Sequence, residues 1–325
     1  MKIVLTGGAG FIGSHIADLL ISEGHKVAII DDLSSGTIEN IPPEAAFYQI
    51  DIRDPAVGDI LHREAPEVII HHAAQISVRR SVEDPIHDLE INIRGTLNLL
   101  QGAVQHNVKK FIFASTGGAI YGEQDYFPAD EEHPQQPISP YGVGKLAVEK
   151  YLYCYYTVYG LSYTVLRYSN VYGPRQDPHG EAGVVAIFAL KMLDKGNPVI
   201  NGTGEQTRDF VYVKDVARAN LLAINSNVAG AINIGTAQET SVNQLFSLLA
   251  GLTGSQAPQP HAPPIPGEQL RSVISWERAR TVLGWSPQVA LEAGLSETVD
   301  FFKAARGKNS PNNNGFANVK GTVSP

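Results

Sequence analysis

The sequence predicts an α/β protein in which a doubly wound parallel β-sheet is followed by a smaller α/β domain. Short apolar strands alternate with amphipathic helical segments from the N-terminus to Asn170. A glycine-rich turn directly follows the first strand, and the alternation is lost after Asn170. Strands that alternate with helices form a parallel sheet with helices on both faces, joined by right-handed crossovers.

The predicted strands are short apolar runs bounded by turn residues. They are expected at Lys2–Leu5, Lys26–Ile30, Ala46–Gln49, Val68–His71, Lys110–Ala114 and Tyr163–Arg167. The segments between them carry apolar residues at helical spacing, which predicts helices. These helices are expected at Phe11–Glu23, Pro55–Glu64, His87–Gln105 and Tyr141–Tyr159.

The later chain is organised differently. A loop follows Tyr172, a helix is expected at Val184–Lys195, and the proline-rich stretch Gln256–Gly267 is expected to be extended. We therefore predict a first domain over 1–172 and a second over 173–306, with 210–235 packing back on the first. The stretch 307–325 lacks apolar periodicity and is expected to be a disordered tail.

Composition narrows the class of protein. The chain has 325 residues, of which 43% are apolar, enough for a sizeable core, and a net charge of -8 that argues against nucleic-acid binding. The single cysteine, Cys154, excludes an internal disulfide framework, fits a reducing cytoplasm and is expected to be buried. No apolar run approaches the ~18 residues that span a bilayer. The sequence thus predicts a cytoplasmic protein with no membrane partner.

The turn after the first strand has the spacing of a phosphate-binding loop. Gly7, Gly10 and Gly13 would let the backbone turn tightly and approach a pyrophosphate, with the last glycine packing the helix on the strand. The phosphates would meet free N–H groups at the start of the helix, at Phe11 and Ile12. A plain turn is the alternative. The flanking strand and helix favour a Rossmann-type dinucleotide site.

Acidic residues follow the second and third predicted strands. Asp31 could accept hydrogen bonds from both ribose hydroxyls and would repel a 2′-phosphate, which favours NAD over NADP. Asp32 is either a further ligand or a solvated loop acid. Asp51, followed by Ile52, comes where an acid could reach the adenine amine.

Tyr141 and Lys145 are one turn apart on a predicted helix and therefore share a face. An ammonium beside a phenol favours the phenolate, so we expect Lys145 to lower the pKa of Tyr141. A hydroxyl of Ser115 or Thr116, at the end of a strand, could hydrogen-bond a substrate oxygen. A surface pair on a helix is the alternative, which the glycine turn disfavours. Together these residues predict redox chemistry on an alcohol.

Five segments resemble the extended short-chain dehydrogenase/reductase family. They are Thr6-Gly-Gly-Ala-Gly-Phe-Ile-Gly13, Asp32-Leu-Ser-Ser-Gly36, His72-Ala-Ala-Gln75, Tyr141-x-x-x-Lys145 and Arg167-Tyr-Ser-Asn-Val-Tyr-Gly-Pro-Arg175. Two more segments, 115–122 and 175–183, are similar to those of the UDP-glucose 4-epimerase branch. The likeness covers about residues 1–303.

The resemblance implies a tightly held NAD and a set of residues around it. Residues implied to contact NAD besides the glycine turn, Tyr141 and Lys145 are Asp31, Asp32, Leu33, Ser34, Ser35, Gly36, Asp51, Ile52, His72, Ala73, Ala74, Gln75, Ile76, Asn92, Ser115 and Tyr168. Residues implied to contact a UDP-sugar are Thr116, Asn170, Val184, Val185, Arg208, Glu268 and Arg271. It also implies a homodimer formed by paired helices.

The implied reaction is inversion at C4 of a UDP-hexose. Tyr141 would take the proton of the 4-hydroxyl, Lys145 would hold the nicotinamide ribose, and Thr116 would orient the 4-oxygen. The family's dehydratases and decarboxylases have acids beside this hydroxyl, whereas Thr116-Gly-Gly-Ala119 has none. The alternatives are a 4-ketoreductase or dehydrogenase with net cofactor turnover, and a silent NAD-binding regulator.

The predicted substrate site departs from the family at one position. Ile265 stands where the family places a basic residue for the diphosphate. By its family position Arg208 is a phosphate ligand, and the alternative is a surface ion pair with Asp209. Arg271 is a candidate replacement for the missing base. Ser272 replaces a bulkier residue of some relatives, which leaves UDP-GlcNAc and UDP-GalNAc open. His71 and His72 face opposite ways on a strand and indicate a pocket wall rather than a metal site.

Overall fold

The N-terminal part of the chain alternates strand and helix. The structure, a computed structural model, describes residues 1–178, 183–264 and 269–308. In chain order the elements are β1 (Lys2–Thr6), α1 (Phe11–Ser22), β2 (Lys26–Asp31), a 3₁₀ turn (Ile38–Asn40), β3 (Ala46–Gln49), α2 (Val57–Glu64), β4 (Val68–His71), α3 (Val78–Glu83), α4 (Pro85–Leu89), a π-helical segment (Glu90–Gly95), α5 (Thr96–Gln105), β5 (Lys110–Thr116), α6 (Pro140–Tyr159), β6 (Ser162–Tyr168) and β7 (Asn170–Tyr172).

The elements of the later chain are shorter. They are α7 (Val184–Leu193), β8 (Ile200–Asn201), β9 (Thr207–Arg208), β10 (Phe210–Tyr212), α8 (Val213–Ile224), β11 (Ala231–Ile234), β12 (Thr240–Ser241), α9 (Val242–Thr253), β13 (His261–Ala262), β14 (Arg271–Ser272), α10 (Glu277–Leu283) and α11 (Leu291–Lys308). Strands β9, β12 and β14 form one small sheet, and β8 with β13 and β7 with β10 form two more.

A seven-stranded sheet organises the first part, in the order β11-β6-β5-β4-β1-β2-β3 with every neighbouring pair parallel. The predicted α/β fold class is confirmed. Because β1 lies at the centre and the order reverses beside it, the carboxyl ends of β1 and β4 border the crevice where such sheets bind ligands.

Helices cover both faces of this sheet. One face packs on α1, α8 and α10 through a core that includes Ile16, Leu20 and the fully buried Trp285. The other face packs on α2, α5 and α6. A third core joins α7, α9 and α11 of the later chain. Strand β11 and helix α8 lie on the sheet of the first part, while the boundary near residue 172 stays a prediction.

Several expectations need correction. The predicted helix over 87–105 is interrupted by the π-helical segment, where the Thr96 hydroxyl donates to the Asn92 carbonyl at 2.7 Å. Cys154, expected to be buried, is exposed because it lies on the outer face of α6. Helix α11 extends to Lys308, so the predicted tail begins within a helix. The rest of that tail lies outside the described residues.

Among the helices that the structure describes, none combines the length and the apolar character needed to cross a bilayer.

Candidate active site

The glycine turn between β1 and α1 is packed so tightly that side chains would not fit. A Cβ at Gly13 would lie 2.1 Å from the Gly7 carbonyl oxygen, and one at Gly7 would lie 2.6 Å from the Ala73 nitrogen. Gly7 also has a positive φ of 71°. Helix α1 starts at Phe11 without a side-chain cap, which leaves its first N–H groups to a ligand. The loop therefore fits the diphosphate of a dinucleotide.

The acids after β2 hold the loops around this turn. The buried Asp31 carboxylate accepts hydrogen bonds from the Ala9 and Leu33 N–H groups, both at 2.9 Å. Burial raises the pKa of Asp31, against those two hydrogen bonds. Asp32 is exposed and accepts from Ser34, so its contacts favour the loop-acid alternative. A Cβ at Gly36 would lie 2.8 Å from Ala9, so this loop closes over the glycine turn.

Asp51 and Ile52 occupy the position after β3. Asp51 pairs with Arg53 at 2.5 Å, and hydrogen bonding to that guanidinium lowers the pKa of the Asp51 carboxyl. Ile52 is buried against the backbone of Gly95. Both residues lie at the same edge of the sheet as the glycine turn, where the adenine was predicted.

The two histidines at the end of β4 face opposite sides of the sheet. His71 lies 2.7 Å from the Thr6 hydroxyl and 2.8 Å from the Thr96 hydroxyl, and His72 lies 3.0 Å from the Tyr168 hydroxyl. Burial lowers the pKa of His71 well below its ordinary value and that of His72 to about 3, so both rings are neutral. Pointing apart, they do not share a ligand.

A buried amide network follows His72. Asn92 accepts from the Gln75 N–H and donates to the Gln75 carbonyl, both at 2.9 Å. Its second N–H donates to Asp88 at 2.9 Å, and the Gln75 side chain donates to the same carboxylate at 2.8 Å. Asn92 was predicted to contact the cofactor. In the structure it holds Gln75, and so supports the segment from His72 to Ile76 that is predicted to line the cofactor pocket. Ile76, in that segment, is exposed.

Tyr141 and Lys145 lie on the first turns of α6. Ser139 caps the helix by accepting from the Gly142 N–H, which sets where its first turn begins. The Lys145 ammonium donates to the Ala114 carbonyl at 3.0 Å and lies 5.8 Å from the centre of the Tyr141 ring. Burial lowers the pKa of Lys145 to about 8, opposed by Asp88 and Glu149.

The expectation that Lys145 lowers the pKa of Tyr141 is wrong for the protein by itself. Burial raises the pKa of the Tyr141 phenol above its ordinary value, and the charge of Asp88 raises it further. Removal from water disfavours the phenolate, and the pKa is raised although the Lys145 ammonium lies 5.8 Å from the ring centre. A phenolate at neutral pH therefore needs an additional positive charge at the site.

The two hydroxyls at the end of β5 have different surroundings. Ser115 is buried and donates to Glu149 at 2.7 Å. Glu149 also forms an ion pair with the buried Arg167 at 2.6 Å. Thr116 points the other way, is partly exposed, and accepts from the Ala119 N–H at 3.2 Å, which leaves its own hydrogen free to be donated. The geometry favours Thr116, and a cofactor contact of Ser115 would come from its backbone.

The residues that follow β5 border the predicted sugar site. A Cβ at Gly118 would lie 3.9 Å from both the Thr116 hydroxyl oxygen and the Asn170 side-chain oxygen. Thr116 and Asn170 thus flank one small open space. Val184 and Val185 form the first turn of α7, where Val185 is buried in the third core.

The arginines of the small sheet lie on opposite faces. In the register of β9 and β14, Arg208 pairs with Ser272 and Thr207 pairs with Arg271. Since successive side chains of a strand alternate, Arg208 and Ser272 share one face and Arg271 lies on the other. There Arg271 forms an ion pair with Glu239 at 2.6 Å and stacks 3.7 Å from the Phe127 ring centre.

Arg271 is therefore not placed to replace the missing base beside Arg208, and that expectation is corrected. The positions of Ile265 and Glu268 lie outside the described residues. Asp209, the other partner considered for Arg208, is buried and accepts from the Thr236 N–H at 2.8 Å and the Thr236 hydroxyl at 2.6 Å. Its carboxylate holds the loop after β11.

Sequence reasoning missed the buried carboxylates near the site. Glu149 is one turn beyond Lys145 on α6, and Asp88 is one turn before Asn92. Helical spacing could have placed both beside predicted site residues. Their partners Arg167 and Gln75 lie on other elements, which the local pattern does not reveal.

Most of this chain is similar to proteins of one known family. A model of the NAD dependent epimerase/dehydratase family matches residues 3–235. A putative UDP-glucose 4-epimerase of Methanocaldococcus jannaschii is 48% identical over 93% of this chain and 98% of its own. The Thermotoga maritima UDP-glucose 4-epimerase, solved with UDP-glucose, is 50% identical with a TM-score of 0.93, covering 94% of this chain and 100% of that one.

A third relative was solved with the dinucleotide. The UDP-glucose 4-epimerase of Thermus thermophilus, in complex with NAD, is 44% identical with a TM-score of 0.90, covering 94% of this chain and 100% of that one. Each of these proteins aligns with nearly the whole of the described fold.

Proposed function

The chain belongs to the NAD dependent epimerase/dehydratase family, and we propose that it inverts C4 of a UDP-hexose, interconverting UDP-glucose and UDP-galactose through a transient 4-keto sugar. One observation carries this choice of reaction. Strand β5, whose Ala114 carbonyl binds Lys145 and which ends at Thr116, continues as Gly117-Gly-Ala119, without an acid. Elimination or decarboxylation would need a proton shuttle there.

The side chains of the site divide the work of moving one proton. Tyr141 takes the proton of the 4-hydroxyl and returns it after the ketone has turned. Thr116 donates a hydrogen bond to the same oxygen and fixes its distance from the phenol. Lys145 is held by the Ala114 carbonyl at 3.0 Å, so its charge stays beside the phenol throughout the cycle.

Bound NAD would supply the hydride chemistry at C4 and, in its oxidised form, a positive charge. The residues that fit it are the glycine turn, Asp31 and the wall from His72 to Gln75. The protein alone raises the pKa of Tyr141 through burial. An added positive charge favours the phenolate, so the base forms best when the oxidised cofactor is in place.

The substrate is held on the face of the small sheet that carries Arg208. A guanidinium suits bidentate binding of a diphosphate. Ser272 is buried on the same face and is small, so it supports acceptance of an N-acetyl group at C2. The proposed substrates therefore include the pair UDP-GlcNAc and UDP-GalNAc.

The test incubates purified protein with UDP-galactose, and separately with UDP-GalNAc, without added cofactor. We expect C4 epimers to appear by NMR or chromatography with no net change in NADH absorbance. Failure of both sugars to epimerise, together with oxidation of NADH in a separate incubation with a UDP-4-keto sugar, would instead identify a 4-ketoreductase. Tyr141→Phe should lower turnover by at least about 10²-fold, as for loss of a general base, and leave bound NAD unchanged. Full activity in this variant would remove Tyr141 from the mechanism.

We also propose a homodimer that works in the cytoplasm. Helix α6, above all in its last turns, and the adjoining α4 expose large apolar side chains, and extensive exposed apolar surface marks interaction sites. They are Ile86, Leu89, Val143, Tyr151, Tyr153, Tyr156, Val158 and Tyr159. The single exposed cysteine supports a reducing compartment.

A further inference from the structure

We propose that the buried Asp88 carboxylate is a positioning residue that sets the charge balance of the Tyr141–Lys145 pair and keeps the lysine in its ammonium form. Asp88 lies on α4, not on the helix that carries the pair. Asp88 is 2% exposed, so its charge is screened much less than that of a surface carboxylate. The kinetic part of this inference rests on the proposed function, whereas the charge balance does not.

Helix α6 approaches Asp88 between the two residues of the pair. Gly144 lies in sequence between Tyr141 and Lys145, and a Cβ there would come 3.4 Å from an Asp88 carboxylate oxygen. The absence of a side chain at Gly144 lets α6 pack close to the carboxylate. Gly142 is similarly packed, 2.8 Å from the Ala119 carbonyl oxygen for a Cβ, so the turn that carries Tyr141 is fixed in position.

The hydrogen bonds of Asp88 favour its charged form. Gln75 and Asn92 donate neutral amide N–H groups to the same carboxylate oxygen, at 2.8 and 2.9 Å. Burial raises the pKa of Asp88, and these two donors and the Lys145 charge oppose that rise. The negative charge is thus held by neutral donors and is available to Lys145.

Among the described residues, the other groups whose charges bear on Lys145 are neutral or already paired. His71 and His72 on β4 are neutral because burial lowers the pKa of both. Glu149 on α6 pairs with Arg167 on β6, which offsets its charge. His87, next to Asp88 in the chain, has an electrostatic effect that lowers the pKa of the Asp88 carboxyl. Asp88 is therefore the anion that the pair senses most directly.

The sign of its effect is the same on both members of the pair. A negative charge disfavours loss of a proton from either a phenol or an ammonium. It accordingly raises the pKa of Lys145, which burial brings down to about 8, and that of Tyr141. Without Asp88, Lys145 would lose its proton nearer to neutral pH. The Tyr141 phenolate would then lack the positive charge of the neighbouring ammonium.

The test compares Asp88→Asn, which keeps the shape and an oxygen acceptor, with Glu90→Gln as a matched control. Glu90 pairs with Arg94 on the partly exposed side of the same helical run, so its loss removes an equal charge elsewhere. In the holoenzyme, NMR of ¹³Cε-labelled lysine follows Lys145, identified by the signal that disappears in Lys145→Met. We expect the pKa of Lys145 to fall by roughly one unit in Asp88→Asn and to stay in place in Glu90→Gln.

A second measurement follows the pH dependence of kcat with UDP-galactose. The acidic limb of the pH profile, set by Tyr141, and the basic limb, set by Lys145, should both move to lower pH in Asp88→Asn. A merely structural loss would lower kcat equally at every pH. An unchanged lysine titration in Asp88→Asn overturns the inference. Absence of epimerisation in every variant would overturn the proposed function and leave the lysine titration to decide this one. Asp88→Ser, smaller and also uncharged, serves in place of Asp88→Asn if that variant does not fold.

Discussion

At the residue scale, burial acts on the two ionisable side chains of the candidate site in opposite directions. It lowers the pKa of Lys145 to about 8 and raises that of Tyr141, so each is driven toward its neutral form. Proton abstraction needs the opposite, a phenolate beside an ammonium. In the proposed mechanism the charged forms are restored by Asp88 for the lysine and by the oxidised cofactor for the phenol.

The two neighbouring hydroxyls of β5 should respond differently to substitution. Thr116→Val should lower kcat by about 10²-fold, the scale of losing one preorganised donor, with little change in stability. Ser115→Ala should chiefly lower the free energy of unfolding, by about 1–3 kcal/mol, because it removes a buried hydrogen bond to Glu149. Steady-state kinetics and urea denaturation check both variants. A larger loss of kcat in Ser115→Ala would reverse the assignment.

At the scale of elements, the parallel strands could be predicted because strands buried on both faces are continuous apolar runs. The end of β5 was missed because Ser115 and Thr116 are polar, yet they continue the ladder opposite Arg167 and Tyr168. The π-helical segment was missed because its apolar spacing still fits a regular helix.

The site was predictable where its residues share one local pattern. The glycine turn, Tyr141 and Lys145 belong to short motifs, and their spacing within one element carries the chemistry. The Asp88 network joins three separate segments of chain, and no local pattern reports such contacts. Arg271 was misplaced because the strand alternation that turns it toward Glu239 depends on a two-residue strand.

The glycine turn should tolerate no added carbon at Gly13. Gly13→Ala places a Cβ 2.1 Å from a backbone oxygen, so the turn must open and NAD binding should weaken by at least about tenfold. Gly58→Ala is the control, since a Cβ there meets nothing within 4 Å and it lies inside helix α2. That variant should gain up to about 1 kcal/mol of stability. Quantifying NAD per chain and thermal melting distinguishes them, and normal NAD content in Gly13→Ala would contradict the packing argument.

At the scale of the whole molecule, the exposed apolar side chains of α6 and α4 should hold two copies together. Tyr153→Glu places a charge on a side chain that is 60% exposed in the single chain and buried in the proposed dimer. Burying an unpaired charge is costly, so this variant should sediment as a monomer at micromolar concentration. Val199→Glu, on an exposed apolar residue of the later chain, should leave the dimer intact. A wild-type protein that sediments as a monomer would end the proposal.

The last strand of the large sheet has a consequence for synthesis of the protein. Strand β11 pairs along β6 from Ala231 to Ile234, although more than sixty residues separate the two strands in the chain. During translation β6 is therefore made long before its partner, and its edge has free N–H and C=O groups in the interval. A nascent chain paused before Ala231 would present that edge to other chains. Ribosome-bound chaperones would be expected to matter most during that interval, after which β11 covers the edge of β6.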